Sequence, residues 1–445
     1  MFPFKTAALL LAMAALLLPE RTFSQEKLTL EEAIRIGLEK NYDIRIADRQ
    51  EDIASNNVTL GNAGFLPAVD ARATRVFSEN NSKQEFVARP DQIRKGASSN
   101  NLNSSVNLNW VIFDGLGMFI NYDRLKALEK SGDLFTKQVV ENTLAAIAVN
   151  YFEVVQQAQK IEALQDAIAI SEARVEIAEA QYEVGVSPKV EILRAQVDYN
   201  ADRSELLLQQ EALQNAKIDL NQLLGRDPNI NFVVTDSIVV DPTLTFGESS
   251  NSLLASNPLL QRLELNRRIA MLDVRSIRAS RFPTVGVTSA YNFSRSQSEP
   301  LNDFMSRFSR NYGFNYGLTV SLPIFNGFNI NRLSQNARIN QEVVELEFQQ
   351  EQIRLESELA RAYSLYLNRL EILKLEEFNV KLAQENSKIA LERFRLGLLT
   401  AIELREAQRN ELVASNRLID IQYQAKTAEI EIKRLTRSLI QEDQQ

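Results

Sequence analysis

From Asn311 to Leu322 apolar and polar residues alternate one for one. Tyr312, Phe314, Tyr316, Leu318, Val320 and Leu322 oppose Asn311, Gly313, Asn315, Gly317, Thr319 and Ser321. Successive side chains on a strand point to opposite faces, so the pattern predicts a strand over 311–322 with one apolar and one small, uncharged polar face. Two more segments share it. Over 284–294, Val285, Val287, Tyr291 and Phe293 oppose Thr284, Gly286, Thr288, Asn292 and Ser294; over 104–113, Val106, Leu108, Trp110 and Ile112 oppose Ser105, Asn107 and Asn109. A fourth strand, over 68–77, is weaker: Arg72 falls on its polar face, but Arg75 sits on the apolar one with Val69, Ala71, Ala73 and Phe77. Near the end of a strand such an Arg can reach the interface. Polar loops are expected between the paired strands, over Ser78–Asn101 and Arg295–Arg310.

The period then changes. Leu116–Val184 and Ile330–Leu396 contain no Pro and very little Gly, and read as helices of roughly 70 residues, each about 100 Å long. In the first, Val140, Leu144, Ile147, Tyr151, Val154, Ala158, Ile161 and Ile168 follow the spacing of a coiled-coil seam; Leu355, Leu359, Ala362, Tyr366, Leu373 and Val380 do so in the second. Gly185 and Gly397 end these helices, and shorter ones return from about Pro188 to Leu224 and from Thr400 to Leu439, making two helical hairpins. Pro188 suits a first helical turn, and Thr400 with Glu403 three residues on makes a capping box. Further helical stretches, Leu28–Asn62 and Ser250–Arg281, precede the strands and end at Pro67 and Pro283.

These elements are written twice. Gly185-Val186-Ser187-Pro188-Lys189-Val190-Glu191 with Ala195-Gln196 returns as Gly397-Leu398-Leu399-Thr400-Ala401-Ile402-Glu403 with Ala407-Gln408, and the same offset carries Ile112-Phe113-Asp114-Gly115 onto Ile324-Phe325-Asn326-Gly327 and Tyr151 onto Tyr363. The chain therefore divides into a leader over 1–24, a first repeat over 25–225 with its hairpin at 116–224, a linker over 226–249, a second repeat over 250–438 with its hairpin at 330–438, and a tail over 439–445. Two such modules make a mostly α fold with a membrane β part.

Composition narrows the chemistry. Lys5, the apolar run Ala7–Leu18 and the small residues Thr22 and Ser24 form a secretory signal peptide, too short to span a bilayer. The chain has neither Cys nor His, which removes disulfides, thiolate metal sites, a lipid-modified Cys and the commonest general base. A net charge of -8 argues against nucleic acid as a partner. Acidic clusters such as Glu345-Leu346-Glu347 and Glu356-Ser357-Glu358 lie among Arg and Gln at helical spacing, as on a solvated face, so no enzyme, cofactor or metal site is expected. Exported strands with a small polar face and aromatics near their ends fit an outer-membrane barrel better than a soluble sandwich. Four strands are too few to close one, since the smallest such barrels have about eight, so chains must pool strands.

The export signal, the duplicated helix-strand-strand-hairpin order, the Phe113-Asp114-Gly115 step and the tip pattern Tyr182, Gly185, Val190-Glu191, Ala195-Gln196 together resemble the TolC-like outer membrane efflux family over about Leu28 to Arg437. The opening Thr29-Leu30-Glu31-Glu32-Ala33-Ile34, through Asn41-Tyr42, is similar to that family's first helix. The resemblance implies a homotrimer whose pooled strands form a 12-stranded outer-membrane β-barrel continued by a periplasmic α-barrel of coiled-coil hairpins. It implies a passive exit duct for efflux or type I secretion, embedded in outer-membrane lipid. A periplasmic adaptor (membrane fusion) protein would dock on the tips, Gly185, Val186, Ser187 and Pro188 with Gly397, Leu398, Leu399 and Thr400, and an inner-membrane transporter, proton-driven or ABC, would supply the energy. Glu403 and Glu406 match the family's acidic pore entrance, with Arg405 beside them softening their field. The tip hairpins would open by a hinge or untwisting motion, with Gly185 and Gly397 as the flexible points. Phe394 and Leu399 stand where the best-known members have a latch made by an aromatic hydroxyl and an Arg, so apolar packing or other pairs must hold a closed tip here. A structural coiled-coil surface or scaffold protein is the alternative that the helices alone would allow.

Overall fold

The computed structural model describes residues 26–88, 90–298 and 306–439; the leader, the end of the tail and part of the 295–310 loop lie outside the described residues. The first repeat gives β1 (Glu26–Lys27), α1 (Leu30–Lys40), α2 (Tyr42–Asn56), α3 (Leu60–Ala63), β2 (Ala68–Gln84), β3 (Gln92–Phe113), α4 (Gly117–Glu183) and α5 (Lys189–Leu223). The linker contributes β4 (Phe232–Val233), which pairs in parallel with β1. The second repeat gives α6 (Phe246–Ser256), α7 (Pro258–Ala279), β5 (Thr284–Ser298), β6 (Phe308–Ser321), α8 (Asn329–Arg395) and α9 (Ala401–Thr436).

Each helical stretch before a strand pair is broken where the sequence pattern reads as continuous. Asn257 precedes Pro258, whose ring disfavours helical backbone at the residue before it, and takes ψ 119. Asn41 takes ψ 131 without a Pro. Its Oδ1 accepts from the backbone N–H of Asp43 (2.8 Å) and Ile44 (3.1 Å), capping α2. Asn41 Nδ2 also donates to the carbonyl of Leu223 (2.7 Å), and Asn257 Nδ2 to that of Leu435 (3.0 Å). Leu223 and Leu435 are repeat counterparts, so both breaks tie an entering helix to the end of a returning one. The duplication extends to Tyr151, which donates to the Leu28 carbonyl (3.0 Å), and Tyr363, which donates to that of Leu244 (3.4 Å). Asn257→Ala should cost about 2 kcal/mol, the price of leaving a buried carbonyl unpaired, seen as a lower thermal midpoint of the detergent-solubilised protein.

Two compact units result, and each draws on both repeats. The first takes the described residues up to Arg45, Val139–Asn257 and those from Leu355 onward; the second takes Ile46–Gln138 and Pro258–Arg354. In the first unit Leu28, Ile147, Tyr151, Leu220, Leu224 and Phe232 form a fully buried core. Gly225 closes α5 with φ +67, and a Cβ there would lie 2.5 Å from the carbonyl oxygen of Lys40. Its repeat counterpart is Arg437, also left-handed at φ 57, which caps α9.

The second unit holds an antiparallel sheet in the order β2-β3-β5-β6. Residues opposite one another share a face, so the register sorts the wall. Val106 lies between Ala71 and Tyr291, with Phe314 beyond; Trp110 pairs with Val287, followed by Leu318. On the other face Asn103 lies between Thr74 and Ser294, with Asn311 beyond, and Asn107 between Asp70 and Ala290, with Asn315 beyond. The pairing slips between Val111 and Phe113, so Ile112 falls in a bulge and Phe113, not Ile112, pairs with Val285 after Trp110. Arg75 is on the apolar face, opposite Leu102, where Nε donates to Asn100 Oδ1 (3.1 Å) and the guanidinium lies 4.7 Å from the Phe77 ring centroid. The strands outrun the expected ten or so residues. β2 and β3 continue as a polar ribbon through most of the segment expected to be loop, held by pairs such as Ser78 with Ser99 (2.7 Å between hydroxyls). A ladder of backbone bonds needs no apolar face where water replaces lipid. Among the described residues no helix is long and apolar enough to cross a membrane.

Candidate functional site

The first unit carries both hairpin tips. α4 and α8 end alike: Gly185 N–H donates to the Tyr182 carbonyl and Val186 N–H to that of Gln181, while Gly397 N–H donates to Phe394 and Leu398 N–H to Arg393. This is the Schellman arrangement, with the two glycines left-handed at φ +79 and +72. Both are hydrogen-bonded helix terminators, and beyond the adjoining residues no described atom lies within 4 Å of where a Cβ would stand. Pro188 does not enter the first turn as its sequence context suggests; it is the N-cap of α5, with ψ 153, and the helix begins at Lys189. Thr400 caps α9 in a full capping box: its side chain accepts from Glu403 N–H (3.3 Å), and its backbone N–H donates to Glu403 Oε2 (2.9 Å).

That box changes the standing of the two expected pore glutamates. Glu403 is exposed but committed: hydrogen bonds from the Thr400 hydroxyl and backbone, with Arg393 nearby, hold its carboxyl below the usual range. Glu406, one turn on, is exposed and has no ion-pair partner among the described residues. Arg405 does not soften their field as expected. It turns away, with Nη1 and Nη2 each 2.8 Å from an oxygen of Asp202, and Nε 3.8 Å from Asp198. The bond to Asp202 raises the Arg405 pKa.

Behind the tips the charges form one cluster. Arg174 pairs with Asp198, and the Ser171 hydroxyl donates to Asp202. Arg174 is 2% exposed and Asp202 7%, so this is an ionic cluster inside a helical packing joining α4 and α5 to α9. Sequence reading missed it. The available signal was Ser171 and Arg174, which interrupt the apolar spacing of α4.

Phe394 and Leu399 pack together with Ala390, Leu404 and Ala407 as a small apolar cluster at the second tip. A groove of about 920 Å³ runs between the two tips, lined among others by Ser187, Glu191, Leu399, Thr400 and Glu406. Around it Val186, Leu398 and Ile402 are at least 65% exposed and form an apolar rim. Ile402 was not among the expected docking residues; Gly185, Val186, Ser187, Pro188, Gly397, Leu398, Leu399 and Thr400 all lie at the turns themselves.

Comparison with known proteins agrees with this arrangement. The description of the outer membrane efflux protein family matches residues 33–226 and again 250–436, one match per repeat. The outer membrane protein TolC of Vibrio cholerae serotype O1 is 18% identical over 399 residues, 88% of this chain and 87% of that protein. Among solved structures, CusC superposes with a TM-score of 0.74 at 18% identity, covering 92% of this chain and 91% of that one. The outer membrane protein VceC of Vibrio cholerae superposes at 0.72 with 16% identity, covering 92% and 95%. At these identities the superpositions establish the fold.

Proposed function

The chain belongs to the outer membrane efflux protein family, and from that premise we propose that it is the exit duct of a tripartite efflux or type I secretion system, a passive channel opened at its periplasmic tips by an adaptor and an inner-membrane transporter. It resides in the outer membrane. One observation carries the reading furthest: a sheet with apolar rows on one face and Asn, Ser, Thr and Gly on the other, whose edge strands β2 and β6 have no further partner strand among the described residues. In lipid every unpaired backbone group costs several kcal/mol, so β6 requires the β2 of another chain. Three chains supply twelve strands, enough to close a barrel with its polar face around water.

The test is direct. Detergent-extracted protein should have about three times the mass of one chain by light scattering, and should give discrete conductance steps in planar bilayers. A coiled-coil scaffold would give a monomer or fibre and no steps.

The apolar rim of the tip groove supports adaptor docking at both turns, and the free carboxylate of Glu406 supports an acidic entrance. Glu403 keeps its charge in the cap, its carboxyl being held below the usual range, so Glu403→Gln and Glu406→Gln should each shift the reversal potential away from cation selectivity. Equal reversal potentials in wild type and Glu406→Gln would remove Glu406 from the pore.

A further inference from the structure

The ionic cluster behind the tips occurs once per chain, although most of what surrounds it occurs twice. Carried forward by the repeat offset, Ser171, Arg174, Asp198 and Asp202 become Ala383, Asn386, Asn410 and Ala414; carried back, Arg405 becomes Leu193. None of these counterparts is charged. The duplication therefore sets two related seams around a ring of hairpins. One lies within a chain, where the α4–α5 hairpin meets α9. The other lies between chains, where the α8–α9 hairpin meets α5 of the next.

The seam within the chain is costly to part. Separating Arg405 from Asp202, whose contacts are 2.8 Å on both oxygens, would leave a buried carboxylate without its cation. At the matching places of the seam between chains stand Leu193, Asn410 and Ala414, which cannot form that bond. Its α5 side shows Leu193 at 51% exposure and Val197, one turn on, at 67%, an apolar strip uncovered in the single chain. We infer that the assembled channel opens at the seams between chains, where Leu193 lies against Asn410 of the partner subunit, while the ionic seam within each chain stays shut. Parting that contact loses only a modest apolar burial, whereas parting the other strands buried charge. The inference rests on the trimer proposed above, with a second copy of this chain as the occupant of the Leu193 strip.

The chain has no cysteine, so an introduced pair reports without background. Leu193→Cys with Asn410→Cys, oxidised in the membrane, should give covalently linked trimers on non-reducing denaturing gels. The linked channel should lose most of its bilayer conductance and regain it on reduction. Leu193→Arg with Asn410→Asp, which sets the charges of Arg405 and Asp198 at the matching places of the seam between chains, should lower conductance without any oxidant. A monomer by light scattering would overturn the trimer and this inference with it. A trimer that fails to link, or that conducts equally when linked, or an Arg–Asp variant conducting like wild type, would overturn the seam alone and leave the trimer standing.

Discussion

Arg405→Ala is expected to destabilise the packing of the second hairpin on the first by about 3 kcal/mol, the low end of what removing one partner of a buried pair costs. The low end applies because Arg405 keeps 30% of its side chain exposed, while Asp202 keeps only 9%. The loss arises mainly at the residue left behind. Without the guanidinium, Asp202 retains the Ser171 hydroxyl as its side-chain donor, and Asp198 retains Arg174. Asp202→Ala combined with Arg405→Ala should therefore cost clearly less than the two single changes added together, since no buried charge then stands alone. Thermal midpoints of the four proteins in detergent, followed by circular dichroism, measure this coupling. Strict additivity would mean that the contact contributes nothing to stability.

Glu141→Gln should act through pH. Glu141 lies on α4 in the first unit, 3% exposed, with both carboxylate oxygens lacking a hydrogen-bond partner among the described residues. Arg437 Nε stands 3.4 Å away, close enough to attract but not bonded in line. Burial outweighs the attraction of Arg437 and Arg434 and pushes the carboxyl from 4.5 up to about 7. The folded state thus holds this proton more tightly than the unfolded chain does. Its contribution is complete below about pH 4.5 and is lost as pH rises through about 7, a difference of about 3 kcal/mol. Gln is neutral at every pH, so the variant should match wild type near pH 4.5 and exceed it at pH 8. A wild type with equal midpoints at pH 5 and pH 8 would contradict the assignment.

Much of the architecture was legible in the sequence because it depends on periods. Strand alternation and helical seams follow from backbone geometry, and a pattern written twice is hard to mistake. The edges of the elements were less legible. The ribbon beyond Ser78 has no apolar face to announce it, the bulge at Ile112 preserves local alternation while shifting register, and Asn41 breaks a helix without Pro because its side chain finds a carbonyl on α5. At the tips, the capping box of Thr400 and Glu403 could be read three residues apart, and the structure contains it. What the box does to Glu403, and where Arg405 turns, could not.

The sequence by itself determined the duplicated order of strands and hairpins, the two faces of the sheet and the family, since each rests on spacing along one chain. The tertiary structure decided which charges meet. Arg405 and Asp202 lie on different helices, and Glu141 and Arg437 on a helix and at the cap of another; both pairs are far apart in sequence, and neither member has a neighbour along the chain that announces its partner. Helix packing brings each pair together, and burial then decides whether a carboxylate is matched by a bonded cation, as at Asp202, or has its carboxyl pushed toward the protonated form, as at Glu141.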